Sequence, residues 1–192
     1  MPARGEGHGD GRGEGRGARR RQEIVDAATR VVAERGIAGL THRVVAETAG
    51  VPLGSTTYYF ATLDDLIEAA LVRNVEEMSE RTREFLENAE DDDVARVLTA
   101  LVARWLGPDR ECSVVGYELY LAALHRPGLR APARRWTEDC VRSLQPHVPD
   151  LHTARLLSHL VNSIVLDGLV TGVTPSDDEV LAHFRSVLPA SS

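Results

Sequence analysis

An all-α chain of about nine helices is the fold class that the sequence predicts, and three observations predict it. Apolar residues recur at three- and four-residue spacing in one segment after another. No segment sustains a two-residue alternation of the kind a half-buried strand needs. Glycine or proline punctuates each periodic run. With 192 residues and 43% hydrophobic residues, the chain holds one large domain or two small ones around a sizeable core.

Residues 1–18 alternate glycine with charge and contain almost nothing to bury, so a disordered Gly/Arg tail is expected there. No strand precedes those glycines, which excludes a dinucleotide-binding loop. Arg19, Arg20 and Arg21 lead into the first periodic run, Arg20 to Arg35, where Ile24, Ala27, Ala28, Val31 and Val32 share a face. Gly36 ends it, and Thr41 is placed to cap a second helix, THRVVAETA, that stops at Gly50. Thr62 to Asp65 has the form of a capping box opening a long helix to about Ala89. Glu90–Asp93 then start a helix carrying Val94, Val97, Leu98, Leu101 and Trp105 to Gly107. Further helices are predicted at 112–125, 128–147, 151–171 and 176–188.

Residues 50–60, GVPLGSTTYYF, interrupt this pattern with two glycines, a proline, three hydroxyl residues and three aromatics. Together with 41–49 they have the plan of two short helices crossing at a steep angle. Gly50 supplies the backbone freedom of the turn, and Pro52 presets φ for the next helical turn. Val45, Ala49, Val51 and Tyr59 point inward, while Ala46 is small enough for the helices to approach. A helix that enters a DNA major groove needs short side chains facing the bases. Gly54, Ser55 and Thr57 meet that need; Thr56 is counted with them as a DNA contact but ranks below them, because its position should face the first helix. Tyr58 and Tyr59 are long enough for flanking phosphates, and Tyr59 can also pack inward. Thr41, His42 and Arg43 open the preceding helix, where free amides favour a phosphate. Phe60 reads as a core anchor.

Charge is unevenly spread along the chain. Residues 1–60 carry nine arginines and seven acids, residues 61–192 thirteen and twenty-two, and lysine is absent. A mildly basic head on an acidic body leaves room for a polyanion at the head only, although chance produces such a split as well.

LTHRVVAETAGVPLGSTTYYFATLDDLIEAAL resembles the DNA-binding domain of TetR-family transcriptional regulators. The resemblance covers about residues 20–72 and lies in the L-T-x-x-x-V-A-x-x-A-G-V core and the G-S-T-T-Y-Y-F run after it. Two positions depart from the family's pattern: Pro52 stands where serine is frequent, and Leu63 where a lysine often reaches phosphate. Arg43, the two tyrosines and Arg19, Arg20 and Arg21 at the start of the first helix are the DNA contacts expected to supply that phosphate binding instead. The resemblance implies a helix-turn-helix domain over 19–64 and a larger ligand-binding and dimerisation domain over 65–192. It also implies a homodimer on a palindromic operator of double-stranded DNA, most often a repressor released by a small-molecule effector. The alternative is a constitutive DNA-binding regulator whose body only dimerises.

The body offers residues for both of its implied tasks. Trp105, Tyr117, Tyr120 and Trp136 lie at helical spacing, which fits a core as well as a ligand pocket. Cys112, His125, Cys140, His159 and Asn162 are interleaved polar groups that can orient an apolar ligand. LHTARLLSHLVNSIVLDGLV is apolar on much of its circumference, so it is either buried centrally or half-buried against a partner. Leu157, Leu160, Val161 and Ile164 from it, with Val180, Leu181, Phe184 and Val187, form the expected dimer interface.

Catalysis has no support, since GxSxG, HExxH and P-loop patterns are all missing. The two cysteines lack metal-ligand spacing and read as reduced, half-buried thiols of a cytoplasmic protein, with no metal and no cofactor. No apolar run approaches the roughly 20 residues that span a bilayer, and none follows the N-terminal arginines as in a secretory signal.

Overall fold

The protein is described by a computed structural model over residues 11–89 and 93–188. Among these residues there are nine α-helices and no strand. They are α1 Gly11–Arg35, α2 His42–Ala49, α3 Leu53–Tyr59, α4 Leu63–Glu87 and α5 Val94–Leu106, followed by α6 Arg110–Ala122, α7 Arg130–Leu144, α8 Leu151–Thr171 and α9 Asp177–Val187.

Local sequence sets most of the corners. Thr41 accepts from the Val44 amide and starts α2. Gly50, at φ 65°, ends it as Val51 N–H reaches back to the Ala46 carbonyl at 3.0 Å and Gly50 N–H to Glu47 at 3.2 Å. That pair of bonds is a Schellman closure, which needs a left-handed residue. Thr62 and Asp65 exchange hydrogen bonds of 2.9 and 3.1 Å, so the expected capping box is present.

The first helix departs from expectation. It runs back to Gly11, whereas the sequence suggests a start near Arg20 with residues 1–18 as a tail. Composition misses two contacts that support the extension: the ion pair of Arg19 with Glu23, and the approach of Gly17 to Tyr59. Residues 1–10 of that expected tail lie outside the described residues, as do residues 90–92, expected to open α5. In the structure Asp93 caps α5 by accepting from Ala95 N–H at 3.0 Å. Helix α6 leaves the helical path in a turn over residues 123–125, short of its expected end, and Pro146, which cannot donate into a helix, stops α7 at Leu144.

The head is a three-helix unit. Ile24, Ala27, Ala28, Val31 and Val32 of α1 are fully or almost fully buried with Leu40, Val45 and Phe60. Helix α4 joins it to the body by packing on α1, α6 and α7, and α5, α8 and α9 close the far side. Asp109, 7% exposed, is held between Arg81 and Arg104 where α4, α5 and α6 meet. No helix among the described residues is long and apolar enough to cross a membrane, and no cluster of them could hold a metal ion.

Candidate nucleic-acid interface and effector cavity

Helix α3 is the outer edge of the head. Its sequence, LGSTTYY, carries no charge, and Gly54, Thr57 and Tyr58 are exposed, Tyr58 at 82%. Thr56 corrects the sequence reading that places it among DNA contacts. It is fully buried, and its hydroxyl donates to the Leu53 carbonyl at 2.8 Å, because this side of α3 faces the core. Ser55 and Tyr59 are half-buried, and the Tyr58 and Tyr59 rings meet edge to face at 5.1 Å. Pro52 precedes α3 without a side-chain cap, and Ser55 N–H instead turns back to the Pro52 carbonyl at 2.8 Å. Thr41 and Arg43 are exposed on α2, whereas His42 is half-buried with Nδ1 lacking a partner.

The body contains a small, partly open cavity of about 40 Å³ between α4, α5, α6, α7 and α8. Trp105, Tyr117, Trp136, Cys140 and Asn162, all singled out from sequence, line it. Met78, Ser143 and Ser158 line it too, with no sequence signal to mark them. A second, more open chamber of about 340 Å³ lies on the other side of Tyr117, Trp136, Cys140 and Asn162. Tyr120 and His159 line that outer chamber. The partition is aromatic: Trp136 stands 5.1 Å from Tyr117 and 4.9 Å from Tyr120, centroid to centroid. Tyr117 donates to Asn162 Oδ1 at 2.9 Å, and Asn162 Nδ2 donates to the Ser158 carbonyl at 2.8 Å.

No acidic or basic side chain lines the inner cavity. Burial pushes the Tyr117 hydroxyl far up and the Cys140 thiol up to about 12, so both stay neutral. The Ser158 hydroxyl is buried in the wall without a partner. The site is therefore an uncharged aromatic box with an unused hydrogen-bonding group. Two sequence candidates fall outside it. Cys112 sits in the crevice between α1, α4 and α6, where Asn74 Nδ2 donates to its carbonyl at 3.3 Å. His125 is exposed just beyond α6. Helical spacing alone does not show which face of α6 a residue takes.

One link between cavity and head also escapes the sequence. Glu118, next to Tyr117 on α6, accepts from the Ile37 N–H at 2.7 Å, at the corner between α1 and α2. Gly36 there has φ 68°, and a Cβ would lie 3.2 Å from that carboxylate. Arg126 reaches Asp64 at the start of α4 at 3.0 Å.

The expected dimer residues divide in the same way. Leu157, Val180 and Phe184 are buried within the chain's own core, since α8 and α9 both pack on α5. This corrects their assignment to an intersubunit surface. Val161 lines the cavity. Leu160, Ile164, Leu181 and Val187 are half-buried, while Leu156 and Val170 are exposed on α8 at 42% and 76%.

A compact helix-turn-helix head, with an uncharged helix on its outer edge and a helical body carrying a cavity, defines a DNA-binding regulator. Residues 24–70 match the family described as bacterial regulatory proteins, tetR family, and residues 89–190 match the tetracyclin repressor-like C-terminal domain. The chain belongs to the TetR family. It is a DNA-binding transcriptional regulator, and not an enzyme. Among solved structures it resembles the multidrug binding protein EbrR complexed with imidazole, at 43% identity and TM-score 0.78, covering 90% of this chain and 97% of that one. EbrR complexed with ethidium has the same TM-score at 41% identity, covering 89% and 99%. A TetR-family member from Streptomyces coelicolor A3 is 43% identical, with TM-score 0.75, covering 89% and 99%. Of curated relatives, the regulator BetI of Burkholderia mallei is 29% identical over 80% of this chain and 83% of its own. The match to the regulator PksA of Bacillus subtilis is 36% identical but spans only 35% of this chain and 33% of that protein.

Proposed function

We propose that the protein is a homodimeric repressor that leaves a palindromic operator when a flat aromatic effector enters its body. The observation that carries this reading is the continuity of α6, which presents Tyr117 to the cavity and Glu118 to the head. Gly54, Ser55 and Thr57 are the base-facing residues of α3. Tyr58, Tyr59, Thr41, His42 and Arg43 face the phosphates. The two-fold axis passes between α8 helices, whose Leu156, Leu160, Ser163, Asp167 and Val170 recur at alternating four- and three-residue spacing.

A cavity of about 40 Å³ holds little more than a water, whereas ligand sites occupy ~300–1,000 Å³. Entry therefore requires Trp136 and Tyr117 to part and merge the two chambers. Parting them moves α6, and with it the Glu118 tie to the α1–α2 corner. Release of DNA needs only a differential affinity of ~1–3 kcal/mol between the two head spacings. Ethidium, which EbrR binds, is a suitable probe. It should quench tryptophan fluorescence in the free protein and release a duplex from the gene's upstream region. Because ethidium also enters DNA, a Ser158→Phe variant that fills the cavity is the control, and it should hold the duplex at the same dye concentration. Equal release of both proteins contradicts an effector route through the body.

A further inference from the structure

We infer that the N-terminal part of α1 and helix α3 form a groove for one sugar–phosphate strand of a DNA duplex, restrained in the free protein by Glu23. The inference rests on the reading of α3 as the DNA-facing helix and adds a second surface to it. Helix α3 has no charged residue, so attraction for a polyanion must come from its surroundings. The structure supplies that surrounding as a groove of about 890 Å³. Arg16, Arg19 and Arg20 stand on one wall, with Ser55, Tyr58 and Tyr59 on the other.

Arg16, Arg19, Arg20 and Glu23 follow i, i+3, i+4, i+7 spacing, so they share one face of α1. At 1.5 Å rise per residue, Arg16 and Arg20 are separated by about 6 Å along the helix, enough to serve neighbouring phosphates. Guanidinium forks suit phosphate oxygens and supply contacts that do not depend on sequence. Gly17 sets the width of the groove: a Cβ there would be 3.6 Å from the Tyr59 hydroxyl, and any longer side chain would push against it. Arg21 plays a different part. Its guanidinium lies over the Phe60 ring, 4.9 Å from the centroid, and fastens α1 to the head. The three consecutive arginines are thus divided between groove and anchor.

Glu23 lies at the end of this face, with its carboxylate 3.5 Å from Arg19 Nε and 3.5 Å from Arg20 Nη1. Ion pairs as exposed as these are weak and yield to a phosphate. Glu23 must lose those partners, and repel the incoming strand, when the groove fills. Its removal therefore strengthens binding. A purely structural role in holding α1 helical would have the opposite effect.

Because the groove grips the backbone, a random-sequence duplex is a sufficient probe. Affinity measured against salt should fall about 10- to 100-fold in the Arg16→Ala/Arg19→Ala/Arg20→Ala variant. Its salt slope should be shallower by about 2–3 for each head bound to DNA, since each phosphate left without its arginine takes about 0.9 from the slope. Glu23→Gln should bind several-fold more tightly than the unaltered protein. A triple variant with unchanged affinity and slope, or a Glu23→Gln variant no tighter than the parent, overturns the groove and leaves α3's own reading untouched. Failure of the unaltered protein to bind any duplex, the gene's upstream region included, overturns both.

Discussion

The head and the body are both built from packed helices, yet they solve opposite problems. In the head, the ends of α2 and the start of α4 are closed by residues within a few positions of one another: Thr41 with Val44, Gly50 with Ala46 and Glu47, Thr62 with Asp65. Its core of Val, Ile and Ala with Leu40 and Phe60 has almost no exposure, and such packing leaves little room to deform. The body's cavity is made by residues from five helices, and it keeps a buried hydroxyl at Ser158 without a partner. An unsatisfied polar group and a void both cost stability, which a region needing to rearrange can bear. A rigid reader coupled to a yielding sensor is the division that a ligand-controlled regulator requires.

Two glycines separate these designs experimentally. Gly116→Ala in the body should cost the most, about 1–3 kcal/mol by denaturant unfolding, through overpacking. Its Cβ would lie 2.6 Å from Asn74 Oδ1 and 2.8 Å from Met78 Sδ, and a second change, Met78→Ala, should recover part of the loss. Gly50→Ala in the head should cost about 1–2 kcal/mol for a different reason. Nothing lies within 4 Å of its Cβ, so the penalty is the left-handed backbone alone, and Gly50→Asn should cost less than alanine. Equal rescue of both sites by trimming neighbours would break the distinction.

Ser158→Ala tests the body's reserve of instability. Removing a buried hydroxyl that has no partner should raise stability by up to about 1 kcal/mol while weakening ethidium binding. The smallest effect concerns pH. Burial pushes Cys140 from 9.0 up to about 12, so the folded state holds this proton more tightly than the unfolded one. Its contribution is therefore intact below pH 9 and is lost as the pH climbs toward 12. In accord, iodoacetamide should label Cys140 in the native protein at pH 8 far more slowly than in urea.

The same contrast explains what is legible in the sequence. Caps, turns and most of the α3 surface are local, so THRVVAETAGVPLGSTTYYF suffices to place them, apart from Thr56, which is counted with the DNA contacts and lies in the core. Helix α8 is legible from Leu151 to Thr171 because its apolar pattern is long and bounded by Asp150 and Gly172. The cavity is legible only in part, since α6 turns Tyr117 inward and Cys112 toward α1, and no local spacing separates those faces. Leu157, Val180 and Phe184 show the same difficulty: an apolar edge looks alike whether it meets the chain's own α5 or a second subunit. Glu118 bonds across 81 residues and leaves no sequence signal.

Filling the body's cavity should alter the placement of the two heads. Spin labels at Glu47→Cys, on the exposed side of α2, in a protein whose Cys112 and Cys140 are serine, measure that placement directly by pulsed electron–electron distance spectroscopy. The free dimer should give one distance, compatible with recognition helices about 34–36 Å apart. Saturating ethidium should move it by several ångströms, and Ser158→Phe should remain at the free value. A distance that ethidium leaves unchanged while tryptophan quenching shows the cavity occupied would contradict the account.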